Sequence, residues 1–105
     1  MHLYQIMVPC NYNDGTPVKT RHHREWDRQV QAALSVKGMT ILPPGKGKWT
    51  NPKDGITYHD RVIPVSLVAT EDEMKKIAQI TIKHYQQLAV MYFKLSNETH
   101  IEYAK

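Results

Sequence analysis

A chain of 105 residues, 41% apolar and 23% charged, fits one ordinary soluble globular domain with a modest core and leaves little room for a second. Its longest apolar runs, such as residues 88–93, are far too short to span a membrane, its first residues lack a signal-peptide pattern, and its single cysteine, Cys10, cannot form an internal disulfide, so a cytoplasmic home is expected. The net charge of +4 gathers over residues 19–28, 46–53 and a later helix, but Glu25, Asp27 and Asp54 interrupt it and no RNA-binding motif interleaves with it; a solvated basic face is favoured and nucleic acid is not the expected partner.

Residues 3–10 read as a short apolar strand closed by Pro9, followed by a loop with a turn signal at Asn13-Asp14-Gly15. Residues 20–37 read as a helix. Trp26, Val30, Ala33 and Leu34 make one apolar stripe, with Thr20 as N-cap and Gly38 just past the end. Residues 39–42 form a short strand candidate halted by Pro43-Pro44, and a loop rich in Gly, Lys and Pro follows over residues 45–55. A longer strand is expected over residues 56–69. Pro64 strains that assignment, because proline cannot donate to a ladder and belongs at an edge or a bulge.

Thr70-Glu71-Asp72-Glu73 is a capping box. The helix it opens runs to about Gln87, with Met74, Ile77, Ala78, Thr81, Tyr85 and Leu88 on one face and Ile80 and Ile82 off it, available for a subunit contact. Residues 88–95 are dense in strand formers, Asn97-Glu98 turns, and residues 99–103 read as a short extra C-terminal strand.

The order is βαββαβ plus a tail. Two right-handed βαβ units give a four-stranded antiparallel sheet with both helices on one face, an α+β ferredoxin-like sandwich in a single domain over residues 1–105. The other sheet face then lacks cover. Met7, Val65, Met91 and Phe93 supply apolar material for burial by another subunit.

Candidate chemistry concentrates in the 43–60 segment. Gly45-Lys46-Gly47-Lys48 resembles a phosphate cradle but lacks the P-loop spacing; its lysines and glycines suit an anionic ligand or a solvated hairpin tip. Trp49 either pins the loop or stacks on a ligand. On a strand, Tyr58 and Asp60 share a face and His59 takes the other, which places a hydroxyl and a carboxylate together for acid–base work or leaves a solvent-facing strand end. Six histidines show no His-x-x-x-His spacing and one cysteine supplies no thiolate cluster, so no metal and no cofactor is expected. Cys10 with His59 as its base is a weaker candidate than a buried thiol without chemistry.

The run Gly47-x-Trp49, Asp54-Gly55, Asp60, Val62-Ile63-Pro64-Val65, with Ile77, Tyr85, Gln87 and Val90-Met91, resembles a family of small bacterial domains of unknown function. The layout is also similar to phage S-adenosylmethionine lyases and to the PII nitrogen-signalling family. Those resemblances imply a PII-like trimer with ligands between subunits, and a long loop after the second strand that carries the function. In the lyases an aromatic in that loop and a glutamate opening the third strand belong to the active site; Trp49 and Asp60 stand at the matching positions, as Trp for Tyr and Asp for Glu. The resemblance therefore implies a homo-oligomer, most simply a trimer, that binds a small anionic or nucleotide-like ligand at intersubunit clefts through Lys46, Lys48, Trp49, Tyr58 and Asp60. The alternatives are a lyase-type enzyme with Asp60 as base or anchor, and a structural or protein-interaction module.

Overall fold

The computed structural model describes residues 1–104. The elements run β1 (His2–Pro9), α1 (Thr20–Ala33), β2 (Met39–Ile41), β3 (Gly45–Thr50), β4 (Thr57–Ala69), α2 (Glu71–Tyr85) and β5 (Tyr92–Ser96). The antiparallel sheet has the order β2-β4-β1-β5, with β3 pairing the outer half of β4. This is the expected ferredoxin-like arrangement, with its second strand broken into β2 and β3 at Pro43-Pro44.

Alternation along the strands sorts the two faces. Tyr4, Ile6 and Val8 of β1 and Val65, Leu67 and Ala69 of β4 are buried under Trp26 and Val30 of α1, Leu34 just past its end, and Met74, Ile77 and Tyr85 of α2. Val65 therefore belongs to the helix-covered face, paired with Ile6, and not to the bare face where it was expected. Leu3, Gln5, Met7, Pro64 and Val68, each half-buried, line the opposite face, against which no helix packs among the described residues.

Pro64 sits inside the sheet without breaking it. Its carbonyl accepts from Leu42 N–H at 2.9 Å, so its nitrogen faces the same flank. Ile41 pairs Val65 while Gly45 pairs Val62, so the flanking chain spends one extra residue over this stretch. The missing donor thus falls where Pro43-Pro44 already interrupts the partner, and the bulge lies in the neighbour rather than in β4.

Helix ends depart from expectation in instructive ways. Lys19, not Thr20, is the N-cap of α1 and makes no side-chain cap. The helix stops at Ala33 instead of Lys37, because Glu73 of α2 accepts from both the Ser35 N–H and the Ser35 hydroxyl at 2.7 Å and turns the chain away. Lys37 Nζ then donates at 3.0 Å to the Gln31 carbonyl, which also accepts from the Leu34 N–H at 3.2 Å. In α2 both arms of the capping box form: Glu73 N–H donates to Thr70 Oγ1 at 3.2 Å and Thr70 N–H donates to Glu73 Oε1 at 2.9 Å. The helix ends at Tyr85 with Gln86 left-handed at φ 53°, short of Gln87, so Leu88 lies beyond it and is exposed. The last strand of the sheet starts at Tyr92 rather than residue 88. Residues 98–104 continue past β5 where the short extra C-terminal strand is expected, and among the described residues they form no ladder pairing. Among the described residues no helix is long and apolar enough to cross a membrane.

Candidate functional site

The segment expected as a loop is an extended β-hairpin. All six residues of β3 pair with β4: Gly45 with Val62, Lys46 with Arg61, Gly47 with Asp60, Lys48 with His59, Trp49 with Tyr58 and Thr50 with Thr57. Glycine and lysine are poor strand formers, so composition reads as loop. The long β4 nevertheless supplies a complete ladder, and pairing overrides propensity. Residues 51–56 close the tip. Asn51 Oδ1 accepts from Lys53 N–H, Asp54 Oδ1 accepts from Ile56 N–H, both at 2.9 Å, and Gly55 takes φ +72°. The hairpin helps stretch the molecule to 52 Å against 30 and 23 Å in the other directions.

Register divides the expected site residues between two faces. On the bare face, the Trp49 indole stacks on the Tyr58 ring with centroids 5.1 Å apart and planes 23° from parallel, while 40% of Trp49 stays accessible. Asp60 follows on the same face, exposed. Its cross-strand partner is Gly47, so no side chain lies beside the carboxylate on that strand. Gly45 likewise puts no side chain across from the half-buried Val62. The result is a shallow trough floored by β3 backbone and ended by the Trp49–Tyr58 stack. On the helix-side face, Lys46 stands opposite Arg61 and Lys48 opposite His59. The like charges of Lys46 and Arg61, directly across the ladder, repel, and among the described residues neither has an acidic partner in salt-bridge range. Within the chain the aromatic and acidic residues are therefore brought together, and the lysines are held apart from them.

Two shallow hollows lie elsewhere. One is a cavity of about 120 Å³ bordered by Val8, His23, Trp26, Asp27, Ile41, Ile63 and Val65; the other is an open trough along Arg21, Arg24, Asp27 and Arg28. Neither is lined by the hairpin. Burial pushes the Cys10 thiol up, opposite to an activated nucleophile, with Arg61 opposing that shift only in part.

One group escaped the sequence reading. His22 of α1 and His84 of α2, 62 positions apart, stack with ring centroids 3.8 Å apart and planes 14° from parallel. The residues they join are distant in the chain, and no spacing rule finds them.

The topology and the faces of the sheet decide the comparison with known proteins. The fold is shared with CutA proteins and a phage SAM lyase. A phage SAM lyase in complex with S-methyl-5′-thioadenosine superposes with a TM-score of 0.66 at 9% identity, over 94% of this chain and 92% of that one. A divalent cation tolerance protein, CutA, from Thermus thermophilus gives 0.65 at 12% identity over 94% and 86%. A periplasmic CutA from Archaeoglobus fulgidus gives 0.64 at 7% identity over 96% and 87%. No family model and no curated protein matches the sequence. At such identities the likeness to the CutA proteins and the lyase is one of fold.

Proposed function

We propose that this chain is the subunit of a PII-like homo-oligomer, most simply a trimer, that binds a small anionic or nucleotide-like ligand at clefts between copies. Trp49 and Tyr58 stack on the flat part of the ligand and Asp60 orients it. Lys46 and Lys48 of a neighbouring copy meet its negative charge. The observation that carries this reading is the split of the hairpin: its aromatic and acidic face and its basic face cannot serve one small ligand together within a protomer, but two hairpins at a subunit boundary can. The uncovered sheet face, with Met7 half-buried and Leu42, Met91 and Phe93 exposed, provides the surface through which copies associate.

Titration of the protein with S-adenosylmethionine, S-methyl-5′-thioadenosine and ATP, followed by tryptophan fluorescence, tests the reading. Trp26 is buried and serves as the constant background, so a saturable change should report Trp49 and disappear in Trp49→Phe. Sedimentation should show an oligomer. A monomer, or an oligomer whose fluorescence none of the three changes, overturns the proposal; the latter leaves a structural or protein-interaction module.

A lyase-type enzyme is the second reading, favoured by the phage SAM lyase that shares this fold and by the position of Asp60 on the same face as the aromatic stack. Conversion of S-adenosylmethionine, lost in Asp60→Ala, is its expected signature, and absence of turnover with the unaltered protein excludes it.

A further inference from the structure

The structure assigns a divalent-cation site of the zinc class to His22, Glu25 and His84, where α1 crosses α2. His22 Nε2 lies 2.9 Å from the His84 carbonyl and His84 Nε2 lies 2.7 Å from the His22 carbonyl. A carbonyl only accepts, so each Nε2 must carry the hydrogen. In the neutral imidazoles both Nδ1 atoms are then bare lone pairs. This is the arrangement that orients metal-binding histidines in general: one ring nitrogen donates to a backbone carbonyl and the other is left for the ion.

The surroundings ask for a cation. His22 Nδ1 is 3.4 Å from Glu25 Oε2, an encounter of two acceptors unless a proton or a metal ion lies between them. His84 Nδ1 accepts instead from the Gln29 side-chain amide at 3.0 Å, a weak and exposed partner that can swing aside. One ligand atom from each of His22, Glu25 and His84 lies within 4.8 Å of the others. Two imidazoles and a carboxylate are a borderline ligand set suited to Zn²⁺, with water completing a tetrahedral shell. The rings now lie nearly parallel, so their lone pairs do not meet at one point. Binding must tilt the Nδ1 edges toward each other about the Nε2–H···O bonds, and the stack opens.

The site is independent of the hairpin and of any ligand there. Zn²⁺, and Co²⁺ as its coloured substitute, are titrated into the full chain at about pH 7.5, where free imidazoles are neutral. The expected result is saturable binding of a single ion, visible Co²⁺ bands of a four-coordinate site, and a shift of the His22 and His84 Nδ1 resonances in nitrogen NMR. Glu25→Gln and His84→Gln should each weaken binding at least about tenfold, since loss of an outer-shell partner alone costs that much. Gln29→Ala should leave affinity equal or tighter. No saturable binding, or binding unchanged in Glu25→Gln, overturns the assignment. Should His84→Gln fail to fold, Glu25→Gln, at the surface, keeps the test decisive.

Discussion

Trp26 and Thr81 show how a single polar pair is placed in the core. The indole N–H donates to Thr81 Oγ1 at 2.9 Å and that hydroxyl donates to the Ile77 carbonyl at 2.7 Å, with both side chains buried. Thr81→Val keeps the shape and orphans the indole N–H, so it should cost about 1–3 kcal/mol. The urea midpoint should fall at unchanged slope; an unmoved midpoint would show that the indole finds another partner. His23 sets a pH dependence. Burial, and then its neighbours His22 and His84, push its imidazole below the ordinary 6.5, so the unfolded chain takes up the proton first. Stability is full above about pH 6.5 and is lost as pH falls through the lower folded value. Denaturation midpoints should drop over that window, and His23→Gln should flatten the drop. Glu73 acts lower down: Thr70 N–H and the Ser35 donors hold its carboxyl below the ordinary 4.5, so its contribution is present above that pH and fades as pH falls through the folded value.

Among the elements, α2 was the most legible. A threonine three residues before a glutamate, followed by an apolar stripe, encodes the helix locally, and both arms of the box form. Thr70→Ala should cost about 1 kcal/mol, read as a lower denaturation midpoint. The start of α1 and its end were less legible because the end depends on Glu73, thirty-eight positions beyond Ser35. The β3 strand was illegible. Gly45-Lys46-Gly47-Lys48 carries no strand propensity of its own, and only the outer half of β4 makes it a strand. The site inherited that blindness: the shared face of Tyr58 and Asp60 could be read in advance, since alternation is local, while the opposite facing of the lysines needed the register. Gly47 offers a test at this scale. A Cβ there meets Val62 at 3.5 Å and the Asp60 carbonyl at 3.6 Å, ordinary contact distances. Gly47→Ala should therefore fold as well as the parent but narrow the trough beside Asp60. Thermal unfolding should be nearly unchanged, while the response to adenosine-type probes expected of the proposed site should weaken.

At the scale of the whole molecule, the sheet has one face under two helices and one face bare. Met91, just before the edge strand β5, and Phe93 on it extend the apolar surface, and Leu95 sits exposed at its bulge. A charge at the β5 edge of that face tests the proposed association without touching the helix-covered core. Phe93→Lys is expected to sediment as a folded monomer with native circular dichroism; an unchanged oligomer would place the subunit contact elsewhere. The order of elements, the amphipathic helices and the bare face follow from the sequence by itself, because periodicity and capping are local codes written every two to four residues. The face on which Val65 lies, the strand made from Gly45–Thr50, the accommodation of Pro64 beside Pro43-Pro44, and the meeting of His22 with His84 were decided only by the tertiary structure. Each depends on which segments lie side by side and in what register, and that is settled by the collapse of the whole chain around Trp26, Leu67 and Tyr85.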